Sequence, residues 1–387
     1  MKIKKTIGKI HLWLGLASGL IVIILGITGC LYVFEEELRP LVHKHYHVDE
    51  VKKTPLPFGK LLAIAETQSE NPISGCKIYN NKDRTVAFWS FNKLENNSIW
   101  YWDDYDRLYI YIDPYTGKVE KLEDYNFEFF FVVRMLHQTL FLKHDIGDII
   151  VGTATILFVI SLITGLILWW PKNKSAAKQR FWFRWKDTTK WKRKNYDLHN
   201  ILGYYMMIFA LIIALTGLVW AFEWYDSGLQ WALNGGQTIE KSEKSVSDTT
   251  QVNSKNSFDK IYNNTKHLHP KADNYILFIP KDSAAAFNTF IKYENCFNNA
   301  SIEYDQYSGK ILKTNSFDNK NTGEKFRSIN YDLHVGSILG FPGKMLAFFA
   351  SFVSAGLPIT GFLIWWGRNK KKKKDAAEQV NKNCSNN

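Results

Sequence analysis

The sequence predicts a membrane protein of mixed α+β type: a bundle of four transmembrane helices, made by a tandem parallel duplication, with two small α+β domains outside the membrane. Three observations carry this. Apolar residues collect into four long runs, positive charge collects into three segments at their ends, and motifs of the first half return in the second.

The runs are Leu12–Phe34, Ile149–Trp170, Ile201–Phe222 and Met345–Trp366, of 23, 22, 22 and 22 residues, with no Asp, Glu, Lys, Arg or His. At roughly 1.5 Å per residue each is long enough to cross a bilayer. The first run is too long for a signal h-region, and Leu31-Tyr-Val-Phe-Glu35 follows it instead of a small-residue cleavage site, so it is expected to be retained. A wholly soluble protein is excluded, and the net charge of +12 is not a nucleic-acid signal.

That charge belongs to the ends of the spans. Residues 1–10 carry +4, residues 172–194 carry +9 and residues 367–387 carry +5, so the rest of the chain is acidic. The positive-inside rule puts all three on the cytoplasmic side of a bacterial inner membrane, with both termini cytoplasmic and lipid around the bundle. The expected segments are 1–34 (N-terminal segment and first span), 35–148 (first outer domain), 149–170, 171–198 (basic loop), 199–222, 223–344 (second outer domain), 345–366 and 367–387 (basic tail). Lys370–Lys374 reads as a topology anchor.

The duplication is visible in the motifs. His11-x3-Gly15, Thr28-Gly29 and Phe34-Glu35 return as His199-x3-Gly203, Thr216-Gly217 and Phe222-Glu223, all at an offset of 188. Thr164-Gly165 with Trp169-Trp170 returns as Thr360-Gly361 with Trp365-Trp366 at 196, and Asp113-Pro-Tyr-Thr-Gly117 as Asp305-Gln-Tyr-Ser-Gly309 at 192. Both copies run helix, outer domain, helix in the same direction, so a pseudo-two-fold axis is expected along the membrane normal. Each outer domain offers one helix (Phe58–Glu66; Phe258–Tyr262) and alternating strands (Thr85–Phe91 and Leu108–Ile112; Tyr275–Ile279, Phe287–Tyr293 and Ser301–Tyr304). The polar stretch Thr238–Asn256 reads as a flexible approach to the second domain.

Histidines occupy duplicated positions at the ends of the spans. His11 and His199 lie at the cytoplasmic ends of spans one and three; His137 and His334 precede spans two and four, each ahead of a Gly-containing break, at Gly147 and at Gly340–Gly343. One histidine at a membrane boundary commonly bonds a headgroup or a helix-end carbonyl. Four around an axis can instead meet as opposed pairs, the ligand set of a six-coordinate b-type haem in a bundle core. Zinc would want further ligands, and no Cys or acid is nearby.

These motifs resemble the PepSY-associated transmembrane family, which includes iron-regulated inner-membrane proteins and di-haem ferric-siderophore reductases. The similarity rests on His-x3-Gly…Thr-Gly…Phe-Glu in span one, Leu136-His137, the Thr-Gly-x3-Trp-Trp endings and Tyr331-Asp-Leu-His-Val-Gly336; Asp113–Gly117 resembles the strand-turn of PepSY domains. The resemblance implies two PepSY-like outer domains and two haem b groups, with His11, His199, His137 and His334 as axial ligands to the haem iron. His144, without a repeat partner, stands as a substitute for His137.

The expected function is therefore reduction of a ferric-siderophore-like chelate on the extracytoplasmic side, releasing ferrous iron. No GxGxxG fingerprint occurs, so electrons must come from a separate cytoplasmic or quinol donor. Phe181–Lys186 is either a docking segment for that donor or an interfacial belt. The rivals are a non-enzymatic PepSY scaffold that regulates an extracytoplasmic peptidase or assists siderophore uptake, and a chelate transporter. Weaker candidates on the outer surface are Trp89, Trp100, Trp102, Trp224 and Trp231 for stacking a chelate and Glu35 and Glu223 beside the spans. His43, His45 and His47 alternate and would share a face on a strand, either as a metal site or, the favoured reading, as a solvated juxtamembrane strand. Cys76 and Cys296 are the two cysteines well inside the outer loops, where a bridge is permitted.

Overall fold

The computed structural model describes residues 2–171, 173–238, 245–251 and 257–385. The first half runs α1 (Lys2–Tyr32), α2 (Glu35–Val42), α3 (Phe58–Glu66), β1 (Gly75–Tyr79), β2 (Val86–Lys93), β3 (Tyr105–Ile112), β4 (Val119–Asp124), α4 (Phe129–Thr139) and α5 (His144–Trp169). After α6 (Lys174–Arg180) and α7 (Trp191–Asp197), a π-helical turn (Leu198–Leu202) leads into α8 (Gly203–Ala221) and α9 (Glu223–Leu233). The second half continues with α10 (Ser257–Leu268), β5 (Asn274–Phe278), β6 (Phe287–Lys292), β7 (Ala300–Tyr304), β8 (Ile311–Ser316), α11 (Thr322–Val335) and α12 (Gly340–Ser385). Of the polar stretch Thr238–Asn256, residues 239–244 and 252–256 lie outside the described residues.

Four helices are long and apolar enough to cross a membrane: Lys2–Tyr32, His144–Trp169, Trp191–Ala221 and Ser337–Lys370. They make this a multi-pass membrane protein. The helices α1, α5, α8 and α12 pack in a ring, α1 against α5 and α12, and α8 against the same two. Their outer faces stay apolar and exposed, as at Leu20, Ile27, Ile163, Ile208 and Phe352, which is the surface a lipid solvent requires. Close approach depends on small residues. A Cβ on Gly26 would lie 2.6 Å from the Ser351 carbonyl oxygen and 2.8 Å from the Ala355 Cβ.

The strands form one eight-stranded sheet in the order β4-β3-β2-β1-β5-β6-β7-β8. Two small domains were expected. Instead β1 pairs antiparallel with β5, from Gly75↔Phe278 to Tyr79↔Asn274, so two four-stranded meanders share one sheet. They also share a core: Phe58, Leu61 and Leu62 of α3 and Ile261 of α10 pack with Phe88, Ile110, Leu277, Ile291 and Ile302. Each such side chain contributes about 1.5–3 kcal/mol by leaving water. Alternation turns Tyr109 and Tyr111 to the opposite face, where Tyr109 packs with Phe131 and Met135 of α4.

The Asp-containing turns after β3 and β7 have the same geometry. The Asp113 and Asp305 carboxylates accept the backbone N–H groups two and three residues on, and Gly117 and Gly309 close the turns at φ +76° and +67°. Several expectations need correction. Gly147 is not a break: it lies inside α5 against Thr139, and the chain turns earlier, at Leu140 and Phe141, both with positive φ. Gly340 does mark the second break, at φ 64°. His43, His45 and His47 are not on a strand, because Lys44–Tyr46 is a 3-10 turn. Cys76 and Cys296 are free, buried thiols and form no bridge.

Candidate functional site

Each of the four histidines at the span ends rests on a Thr-Gly pair of a neighbouring helix. His11 of α1 meets Thr164 of α5, with Nδ1 3.1 Å from the Thr Oγ1 and 3.1 Å from the Ser161 carbonyl oxygen. His199, in the π-helical turn, meets Thr360 of α12 at 2.9 Å. His137 of α4 meets Thr28 of α1 at 2.9 Å, and His334 of α11 meets Thr216 of α8 at 3.0 Å.

The direction of these bonds follows from the threonines. Each hydroxyl already donates to the carbonyl four residues back in its own helix: Thr164 to Ile160, Thr360 to Gly356, Thr28 to Ile24 and Thr216 to Ile212, at 2.7–2.8 Å. With its one proton used, the hydroxyl accepts, so Nδ1–H of each imidazole donates. Nε2 then carries the free lone pair. This is the arrangement by which proteins fix the tautomer and orientation of a metal-ligating histidine. The glycine that follows each threonine clears the space for the ring: Cβ atoms on Gly165, Gly361, Gly29 and Gly217 would stand 3.2–3.4 Å from the Cε1 atoms of His11, His199, His137 and His334.

The four rings come together in two pairs. The His11 and His199 centroids are 6.3 Å apart with planes at 80°, and those of His137 and His334 are 6.1 Å apart at 75°. An iron bound at about 2 Å by two nitrogens, each about 1.1 Å from its ring centre, would set collinear centroids about 6.2 Å apart. The residues therefore fit a shared metal of bis-imidazole type. The first pair lies at the basic end of the bundle, in a cavity of about 690 Å3 with Gly15, Gly203 and Gly361 in its walls and Lys4, Lys5, Lys9 and Arg368 among its lining. Such cations suit the carboxylates of an amphiphilic cofactor. The second pair lies at the sheet end, where the Trp220 ring meets His334 edge-on at 5.2 Å. His137, and not His144, stands opposite His334; His144 bonds Asp148 at 3.1 Å.

A separate cluster, His43, His45 and Glu123, has ligand atoms all within 4.8 Å of one another and could hold a metal ion. His45 Nε2 is buried without a hydrogen-bond partner. Burial above all, then Lys121, lowers the His45 pKa to about 4, so its ring is neutral at pH 7. Competing partners are already in place: Lys121 bonds Glu123, and His43 Nε2 lies 3.2 Å from Glu128. His47 stands apart, bonded to Asp83 and the Pro40 carbonyl. Glu123 was not among the sequence candidates, since only the edge strand β4 brings it to the turn.

The remaining candidates scatter. Trp100 and Trp102 stack at 5.2 Å, Trp89 is buried beneath Tyr109, and Trp224 and Trp231 are exposed on α9. Glu35 and Glu223 sit in the first turns of α2 and α9, where an acid suits the helix dipole, and Glu35 also bonds Arg39 at 2.7 Å. Phe181 packs on Trp169 and Tyr204 while Trp182 stays exposed.

The family model described as the PepSY-associated TM region matches residues 9–368, nearly the whole chain and all four paired histidines. The chain belongs to the PepSY-associated TM family. No curated protein matches it as a relative. In this PepSY-associated chain the Thr-Gly pairs visible in the sequence have a use that sequence reasoning missed: each is a cradle for one imidazole. The signal was available, since every span holds one such pair.

Proposed function

We propose that this chain is an inner-membrane electron-transfer protein of the di-haem, ferric-siderophore-reductase type. It holds one haem b between His11 and His199 and one between His137 and His334, and it reduces ferric-siderophore-like chelates outside the membrane, releasing ferrous iron. The carrying observation is the pairing of four Thr-oriented imidazoles at a separation that suits two shared irons. A haem with two imidazole ligands supplies a reversible one-electron centre without an open coordination position. The chain's part is to hold Nδ1–H on the threonines, to keep the ring faces clear at the glycines and to exclude water with apolar walls. Lys4, Lys5, Lys9 and Arg368 would receive carboxylates at the basic end. The donor is a separate cytoplasmic protein or quinol.

The architecture we infer is a tandem parallel duplication with a PepSY-like unit in each half of the sheet. The repeated turns at Asp113 and Asp305 and the strand order, symmetric about the β1–β5 seam, support it. The topology we infer from charge has both termini cytoplasmic. Reporters fused after Lys174 or at the C-terminus are expected to signal cytoplasm, and one at Ser247 the outside; reversed signals at any of the three overturn it.

A visible spectrum tests the cofactor: purified protein is expected to show a reducible Soret band, and a colourless protein overturns the reading in favour of the scaffold. The activity is tested by adding ferric chelates to chemically reduced protein. Reoxidation is expected, with ferrous iron appearing at the same rate. Reduced protein that ignores every ferric chelate while still exchanging electrons with quinol overturns the substrate assignment.

A further inference from the structure

A second cavity, of about 410 Å3, lies beside the sheet-end histidines, with β2, β3 and β5 on one side and α4 on the other. Its walls are aromatic. The Trp89 ring lies 5.9 Å from Tyr109 and meets Phe278 edge-on, at 6.2 Å with planes at 69°. Two guanidinium groups, Arg107 and Arg134, line the same space, and no Asp or Glu does.

The two cations differ in how they are held. Arg107 Nη1 donates to the Asn126 Oδ1 at 2.6 Å and to the carbonyls of Tyr101 and Tyr105. Arg134 makes no hydrogen bond or ion pair among the described residues, and its Nε is fully buried without a partner. It lies over the Phe131 face at 4.7 Å, with the Tyr32, Tyr125 and Tyr109 phenols nearby. Glu35, the carboxylate that acts on it through space, is engaged by Arg39 at 2.7 Å. A partly buried guanidinium with no carboxylate bonded to it is able to receive an anion in the cavity it lines. Arg134 lies one helical turn before His137, and Gln138, the residue after His137, also lines the cavity.

We propose that this cavity binds an anionic ligand with a flat aromatic face, a catecholate arm of a ferric chelate, between the guanidinium groups of Arg107 and Arg134 and the rings of Trp89, Tyr109 and Phe278. A ferric catecholate complex is anionic overall and its arms are planar aromatic rings, which matches two guanidinium groups with no carboxylate bonded to them among stacking rings; a ferric trihydroxamate is neutral overall and aliphatic, and offers neither the net charge nor the face. The volume is at the small end of the range for ligand pockets, about 300–1,000 Å3, so it takes one arm and leaves the rest of the chelate outside. The iron in this assignment rests on the reductase reading; the binding of the arm does not.

The test is calorimetric titration of the full-length protein in detergent with the ferric complex of 2,3-dihydroxybenzoate and, separately, with a neutral ferric trihydroxamate. Wild type is expected to prefer the catecholate by about tenfold or more, and Arg134→Gln and Arg107→Gln each to weaken it by about tenfold with the trihydroxamate unchanged. Phe278→Ala, at an exposed position that does not support the core, is expected to weaken it several-fold and keeps the test valid should the Arg variants misfold. Equal affinity of wild type and the folded variants, or preference for the trihydroxamate, overturns the proposal. So does an Arg134→Gln protein that loses haem absorbance while binding catecholate normally, because the guanidinium then serves a cofactor carboxylate. A colourless protein that binds catecholate through these residues sinks the haem reading and leaves this one standing.

Discussion

His11→Ala and His199→Ala proteins are each expected to retain about half of the wild-type haem, and to lose the same half. The two rings face each other at 6.3 Å, so removing either leaves one imidazole where two are required. His137→Ala and His334→Ala are expected to remove the other half, because their pairing at 6.1 Å is independent of the first. Pyridine haemochrome content of each purified variant checks this, and the double variant His11→Ala/His334→Ala should be colourless. Four single variants with full haem content would end the ligand assignment. Thermal unfolding of each variant separates loss of a ligand from loss of the bundle. Thr28→Val and Thr216→Val serve as graded controls, since each removes only the acceptor of an Nδ1–H. Losing such an outer partner typically costs 10–100-fold in metal affinity, so haem should become easier to extract from the sheet-end site alone.

The largest structural effect is expected at Gly26. A Leu there puts its Cβ about 2.6 Å from the Ser351 carbonyl and 2.8 Å from the Ala355 Cβ, and the first of these is backbone that cannot rotate away. The helices α1 and α12 must then part. Overpacking a filled core typically costs about 1–3 kcal/mol, and a clash with backbone belongs at the upper end or beyond. The damage should spread to the cofactor, because the next turn of α1 carries Thr28 and Gly29, the cradle of His137. Gly26→Leu is expected to melt well below wild type in detergent and to lose sheet-end haem before basic-end haem. Gly356→Leu on α12, where a Cβ meets nothing within 4 Å and which is not among the residues lining the basic-end cavity, is the matched control for melting. Equal melting temperatures for the two would show that the α1–α12 contact is not close in the membrane.

What was legible in the sequence depended on the range of the interaction. The four spans were readable because crossing a bilayer is a property of twenty successive residues, and charge between them marks their ends. Helix Phe58–Glu66 was found to the residue because its apolar spacing is local. The strand β1 was missed: Gly75–Tyr79 is short, and its role is set by β5, some two hundred residues away. The histidine positions were visible as repeats, whereas the partner of each ring was not, since Thr164, Thr360, Thr28 and Thr216 lie on other helices.

The sequence by itself determined the number of spans, the two Asp-containing turns and the four histidines worth pairing. Tertiary structure alone decided that the two outer halves join through β1 and β5 into one sheet, that Cys76 and Cys296 stay apart, and that His43 meets His45 and Glu123 while His47 does not. It also decided that His137, not His144, faces His334. The physical reason is common to all of these. Hydropathy, turn chemistry and charge act within a few residues, but a sheet seam, a pair of facing imidazoles or two arginines lining one cavity exists only between segments distant in the chain that packing has brought together.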